Sequence, residues 1–484
     1  MKKSVTGGFI WKFLERFGVA GVQFVLQIIL ARILSPEHYG ALSIMVIFTN
    51  LANVFVQSGL NTALVQNKDV DDDDFSSVFW ISLSISALLY VIIFISAPFV
   101  AKFYNMPEIV SPLRILSLIL IPGALNSVQI AKVSRELDYK KVFYSNVGAI
   151  IASGVAGIAV AVLGGGLWAL VIQHLVNVVT ACLVMRVTVK LRLRFVCRFD
   201  RIKVLFGFGS KILLSNIIST LYQDLRSLVI GKKFNSGTLG YYNRGKQFPQ
   251  FITNVVNGSV QSVMLSAMSA RQSEKGAIKS MMRRSVSLSS YIIFPTMLGL
   301  AAVAEPLVLI LLGEKWLPSV IYMQIYCISF AFYPIHSCNL QAINACGRSD
   351  VYLKLEIIKK IEGIILLVIA VLFFKTPVAI AVTGLISTVI ASFINAYPNK
   401  KLVNYSYIEQ VVDMLPSFFM AVAMGALVMM IGLIRMPAVV TLLLQIIIGA
   451  AFYIIMSYLL KIDSFFYLFE KVKSIGLNKL YKRG

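Results

Sequence analysis

Charge is scarce in this chain, and sulfur and imidazole are scarcer still. Charged residues make up 14% of its 484 positions, against roughly 25% in a soluble domain. Water is therefore excluded as the solvent for most of the surface. No long hydrophilic segment interrupts the apolar stretches, so a separate soluble domain is excluded as well. Five cysteines (Cys182, Cys197, Cys327, Cys338 and Cys346) form no CxxC pair, and three histidines (His38, His174 and His336) are scattered. That leaves no zinc or redox signature, and neither a metal nor a cofactor is expected; the cysteines read as small core residues. No cleavable leader is expected. Residues 9–34 form one long stretch with interior charges and no small-residue cleavage pattern, and are expected to remain as a span.

What is present is apolar length. Hydrophobic residues are 58% of the chain, and a helix crossing the hydrocarbon needs about 20 of them in a row. The pattern predicts an all-α polytopic membrane protein with fourteen spans, at 9–33, 40–65, 77–98, 112–132, 142–163, 166–187, 204–230, 240–268, 285–312, 319–343, 353–374, 377–397, 412–434 and 437–460. The net charge of +23 would suggest nucleic acid in a soluble protein. Here 29 of the 45 Lys and Arg residues fall in, or within three residues of, the segments on one side of the membrane, and 8 on the other. The positive-inside rule then accounts for the excess and places both termini in the cytoplasm, with no nucleic-acid partner. The richest basic segment, Lys190 to Lys203, reads as an amphipathic helix lying on the anionic inner leaflet. The acidic run Asp71–Asp74 reads as the N-terminus of the third span, where carboxylates are favourable.

Internal similarity organises the spans. Leu34-Ser35-Pro36-Glu37-His38-Tyr39-Gly40 aligns with Phe234-Asn235-Ser236-Gly237-Thr238-Leu239-Gly240 at an offset of 200, and Ala97-Pro98-Phe99-Val100 resembles Glu305-Pro306-Leu307-Val308 at 208. Spans one to six thus correspond to spans seven to twelve. Six is even, so the two copies are parallel repeats around a pseudo-twofold along the membrane normal, with substrate held between lobes. The expected organisation is an N-lobe with its basic linker at 1–200, a C-lobe at 201–397, and spans thirteen and fourteen with a basic cytoplasmic tail at 398–484.

Polar residues inside spans face protein or a water-filled cavity, because lipid cannot satisfy them. On span two, Asn50, Asn53, Gln57 and Asn61 share a face; on span eight, Asn243, Gln247, Gln250, Asn254, Asn257 and Gln261 run down five turns. Amides joining neighbouring helices would account for one or two per span. Six on one helix, echoed at Asn50/Gln250, Gln57/Asn257 and Asn61/Gln261, point to a lined cavity that offers donors and acceptors to hydroxyl groups. Span one adds Arg16 and Gln23, and span seven adds Lys211 and Arg226, cations suited to a phosphate or uronate. Glu15 and Asp224 are the candidates for ion coupling. Lys12, Lys246 and Arg244 lie near span ends, where they are expected to snorkel to the interface.

Three stretches carry a family resemblance: Asp224 with Ile230-Gly231-Lys232-Lys233-Phe234, then Leu239-Gly240-Tyr241-Tyr242-Asn243-Arg244, and Leu30-Ala31-Arg32-Ile33-Leu34-Ser35-Pro36-Glu37-His38-Tyr39-Gly40. They resemble Wzx-type polysaccharide and O-antigen flippases, in the MATE-like superfamily of multidrug, oligosaccharidyl-lipid and polysaccharide exporters. The resemblance implies a non-enzymatic inner-membrane protein. It would move undecaprenyl-pyrophosphate-linked oligosaccharide by alternating access, for exopolysaccharide, capsule or lipopolysaccharide O-antigen assembly. It also implies a coupling cation, H+ or Na+, and a polysaccharide polymerase or assembly machinery as partner. Two alternatives stand beside it. A MATE-like exporter of small molecules would want an apolar cavity, and a membrane polymerase or ligase would want an acid/base pair in a large outer loop.

Overall fold

The computed structural model describes residues 18–57, 60–67, 69–271, 274–434 and 436–481. All regular elements among them are helical. The chain divides into two compact units, Met1–Asn243 and Arg244–Gly484. The first holds α1 (Ala20–Ile33), α2 (Pro36–Gln57), α3 (Leu60–Gln66), α4 (Asp72–Tyr104), α5 (Val110–Leu116), α6 (Leu120–Glu136), α7 (Tyr139–Val162), α8 (Leu167–Thr188), α9 (Phe199–Lys233) and the start of α10 (Ser236–Ser269). The second continues through α11 (Lys275–Ala302), α12 (Ala304–Leu311), α13 (Val320–Ala331), α14 (Tyr333–Ala345), α15 (Ser349–Phe373), α16 (Pro377–Ala396) and α17 (Asn399–Val403). It ends with α18 (Tyr407–Gly432), α19 (Ala438–Leu459) and α20 (Asp463–Tyr481).

Ten segments among the described residues are long and apolar enough to cross a membrane. They coincide with predicted spans two to six, nine, ten and twelve to fourteen. Of the other four, span one is described only from residue 18. Spans seven, eight and eleven are α9, α10 and α15, with 35, 34 and 25 residues. These are long enough to span but too polar to meet the same standard of apolarity. They carry most of the amides and charges singled out above.

Local sequence explains the packing. The α7–α8 pair is close because α7 presents small residues: a side chain on Gly157 would come within 3.0 Å of Gln173. Ser145 donates to the Ala181 carbonyl at 2.8 Å, and Asn177 donates to Ser153 at 3.2 Å. Small faces and short polar bonds of this kind join helices where no hydrophobic difference from lipid can. In the second unit α11 packs against α18. Tyr291 of α11 donates to Ser457 at 2.9 Å, and Tyr453 of α19 returns a bond to the Tyr291 carbonyl at 3.0 Å.

One contact within the first unit repeats itself. Helices α2 and α10 cross at their first turns. A Cβ on Gly40 would overlap the Ser236 carbonyl oxygen at 1.7 Å, and one on Gly240 would overlap the Pro36 carbonyl oxygen at 2.1 Å. The offset of 200 turns one contact into the other: Gly40 on Ser236 becomes Gly240 on Pro36. Only a residue without a side chain permits backbones this close.

Two expectations need correction. Span nine was placed at 285–312, but its helix α11 begins ten residues earlier and stops at Ala302; Ala304–Leu311 is a separate helix. Hydropathy falls where Lys279, Arg283 and Arg284 begin, yet the helix continues because Ile278 and Met282 stay wholly buried on its inner face. The basic segment after span six was predicted as a surface helix. Residues 189–198 instead form an extended strap along the start of α4. Lys190-Leu191-Arg192-Leu193-Arg194-Phe195 alternates every second residue, which is the period of an extended chain and not of a helix. Leu191 is buried while Arg192 and Arg194 face out.

Candidate functional site

Four predicted amides are exposed and make no hydrogen bond among the described residues: Gln23, Asn50, Gln250 and Asn254. Asn50 and Gln250 each lie fourteen residues beyond the start of their helix. At 1.5 Å per residue that is roughly 21 Å along the axis, against about 30 Å for the thickness of a hydrocarbon layer. Their donors and acceptors are available.

The rest of the α2 stripe is tied up within itself. Gln57 donates to Asn53 Oδ1 at 2.9 Å, and Asn61 donates to the Gln57 carbonyl at 2.7 Å. Helix α6 meets this ladder with Gly123, where a side chain would come within 3.5 Å of Asn53 Oδ1. On α10, Asn243 accepts from Ser227 of α9 at 3.1 Å, and Gln247 accepts from Arg244 Nη1 at 2.6 Å. Arg244 does not snorkel as expected: it is 4% exposed, with its guanidinium 5.3 Å from the centroid of the Trp316 ring. The aromatic face replaces water as its solvent. Lys246 is half-buried, 5.8 Å from the Tyr326 ring.

Asp224 and Arg226 are both half-buried on α9. Lys12, Glu15 and Arg16 lie outside the described residues. Lys211, Asn257 and Gln261 lie on α9 and α10, but their side chains are outside those described.

Two charged assemblies, one in each unit, escaped the sequence analysis. In the first unit, Asp71 caps α4 by accepting from the backbone of Asp73 and Asp74, and Asp74 reaches back to Asp71. That fulfils the reading of the acidic run as a helix start. The same carboxylates also pair with the strap, Arg194 to Asp73 at 3.2 Å and Arg198 to Asp71 at 3.0 Å. Beneath them Ser76, Ser77 and Trp80 bind the strap backbone. Arg194 N–H donates to Ser76 at 3.0 Å, Arg198 N–H donates to Ser77 at 3.0 Å, and Trp80 donates to the Arg194 carbonyl at 2.9 Å. The Trp80 ring stacks on Phe195 at 4.3 Å.

In the second unit the arrangement is side chain to side chain. Lys279 and Arg283 of α11 face Glu409 and Asp413 of α18, both pairs at 2.7 Å. Ser406 caps α18 with Glu409 closing the capping box. Tyr405 donates to the second oxygen of Asp413 at 2.7 Å. Burial, and then the bond to this carboxylate, push the Tyr405 hydroxyl far above its ordinary pKa, so it stays a donor at physiological pH. A buried amide knot lies alongside: Asn339 and Gln410 exchange bonds at 2.6 and 3.0 Å, and Asn399 donates to Asn339 at 2.7 Å. The sequence signal for the ion pairs was two i, i+4 charge pairs of opposite sign, separated by 130 residues. No group of three metal-binding side chains occurs among the described residues.

Comparisons with known proteins bear on this geometry. The sequence profile of a family described as "Polysaccharide biosynthesis protein" matches residues 29–321. The succinoglycan biosynthesis transport protein ExoT of Rhizobium meliloti (strain 1021) is 28% identical over 320 residues, covering 65% of this chain and 64% of that protein, which is under two thirds of its length. The teichuronic acid biosynthesis protein TuaB of Bacillus subtilis (strain 168) is 23% identical over 353 residues, 72% of each. Among solved structures, the lipid II flippase MurJ in an inward closed conformation has the same fold. The TM-score is 0.76 at 16% identity, covering 94% of this chain and 99% of that one.

Proposed function

The chain belongs to the polysaccharide biosynthesis protein family, and from that premise we propose that it is a flippase for lipid-linked oligosaccharides, serving exopolysaccharide, capsule or O-antigen assembly at the bacterial inner membrane. The observation that carries this reading is the set of exposed, unpartnered amides on membrane-length helices, Asn50 and Gln250 above all. Lipid would leave them unsatisfied at a cost of kilocalories each. A sugar with hydroxyls in every direction would satisfy them.

The proposed machine has fourteen spans in two parallel repeats, with both termini cytoplasmic, an N-lobe at 1–200, a C-lobe at 201–397 and the last two spans at 398–484. The reciprocal seating of Gly40 on Ser236 and Gly240 on Pro36 supports the repeat and its register. The names of ExoT and MurJ, a transport protein and a lipid flippase, support transport over catalysis. Arg16 and Lys211 attract the pyrophosphate on the cytoplasmic side, while Gln23, Asn50, Gln57, Asn61, Gln250, Asn254, Asn257 and Gln261 contact the sugar. Arg226 receives the anion toward the periplasmic end, and Glu15 or Asp224 binds the coupling H+ or Na+. The polyprenyl chain stays in lipid throughout the alternating-access cycle.

The test is reconstitution with labelled lipid-linked oligosaccharide, following its accessibility in each leaflet. Transfer of the cognate donor is expected, and its absence would overturn the proposal. Within that assay Asn50→Leu and Gln250→Leu are each expected to cut transfer about tenfold, one polar contact to a sugar being worth about 1 kcal/mol or slightly more. The unfolding midpoint should not fall, because neither amide has a protein partner. A fall in midpoint with unchanged transfer would assign both residues to packing.

A further inference from the structure

The second unit contains a recess of about 650 Å³ where α11, α18 and the start of α20 meet, lined by none of the amides named above. Arg283, Arg284, Lys461, Asp413 and Asp463 contribute its charges. Arg283 is already neutralised by Asp413 at 2.7 Å. Arg284 and Lys461 are not paired: both are exposed, and no carboxylate lies within ion-pairing distance of either among the described residues. The Arg284 guanidinium lies 3.8 Å from the centroid of the Tyr467 ring. Its N–H donors make no hydrogen bond among the described residues, which leaves them for a phosphate.

The surroundings of the recess favour a lipid over a free ion. Val412 and Pro416 give it an apolar wall, and both are exposed. The adjoining helix ends expose Tyr458, Leu459 and Leu460 on one side and Phe466 and Phe469 on the other. Amphipathic aromatic rims of this kind settle at the level of lipid headgroups. We infer that this recess binds the phosphate headgroup of an anionic phospholipid through Arg284 and Lys461, with an acyl chain along Val412 and Pro416. The site would tie the last helix to the membrane surface and to α11. It is independent of transport, so its failure would leave the flippase reading standing.

The experiment measures thermal unfolding of the full chain in detergent micelles doped with phosphatidylglycerol, with phosphatidylcholine, or supplemented with inorganic phosphate. Phosphatidylglycerol is expected to raise the midpoint by about 3 °C more than phosphatidylcholine, as a ligand of the folded state does. The double variant Arg284→Gln/Lys461→Asn should lose at least half of that difference. Asn is chosen because Lys461 adopts φ of 51°, which Asn tolerates. Arg348→Gln/Lys401→Gln, with the same charge removed elsewhere, should retain the difference. Equal shifts from the two lipids, an unchanged difference in the recess variant, an equal loss in the control, or an equal shift from inorganic phosphate alone would each overturn the proposal. Should the double variant fail to fold, Lys461→Asn alone carries the same test, with a partial loss expected and no loss overturning it.

Discussion

The two charged assemblies do the same work by opposite means. Both hold the start of a long helix, α4 in one unit and α11 in the other, to a segment that comes later in the same unit. In the first unit acid sits on the helix and base on the strap; in the second, base sits on α11 and acid on α18. The deeper difference lies in which bonds hold. Ser76, Ser77 and Trp80 grip the strap backbone by neutral hydrogen bonds, and the ion pairs lie over them, with Arg194 largely exposed. Exposed pairs contribute about 0–1 kcal/mol. In the second unit Asp413 is only 8% exposed and takes three donors, two from Arg283 and one from Tyr405. At one helix start the ion pairs thus add to neutral bonds with the backbone; at the other three donors converge on a single carboxylate.

Substitutions put that contrast at risk, the strongest first. Asp413→Ala removes a carboxylate with three partners and should cost about 2 kcal/mol, less than a fully buried pair because Arg283 remains in water. Thermal unfolding in detergent measures it, and a loss below about 0.5 kcal/mol would erase the distinction. Trp80→Ala takes away both the bond to the strap carbonyl and the ring stacked on Phe195, for about 1.5 kcal/mol. A protease assay cutting near Phe195 should report earlier release of the strap than of the rest of the unit. A double-mutant cycle on Lys279 and Glu409 should return a coupling of about 0.5 kcal/mol, since both side chains are partly exposed. Arg194→Gln should cost less than about 0.5 kcal/mol, and nothing measurable in 1 M salt, where the screening length is about 3 Å. If Arg194 proves costlier than Trp80, the strap is held by charge after all.

Helix positions were legible from runs of about 20 apolar residues, and the amide faces from a period of 3.6 residues, both of which one sequence displays. The acidic run was legible because carboxylates favour a helix N-terminus; Asp71 and Asp74 also stand three apart, the spacing of the capping box they form. What stayed hidden depends on distant partners. Arg244 looked like an interfacial cation until Trp316 was placed beside it, and nothing near residue 244 announces that ring. Lys279 and Arg283 lowered the hydropathy of their segment and so moved the predicted span ten residues too far along. Their carboxylate partners would have restored it. The strap was misread for a different reason: its composition suggested a membrane-surface helix, while its alternation already favoured an extended chain.

The strap also carries a schedule. Asp73 precedes Arg194 by 121 residues, and a ribosome adds about 5–20 residues per second, so the carboxylates wait roughly 6–24 s for their arginines. During that interval the third span must hold its place by its own cap. Once Arg198 has emerged, the start of α4 can be latched before α9, whose first residue is Phe199, has been made. The strap is then closed by the residues just ahead of α9, and α9 arrives at a helix α4 that is already held.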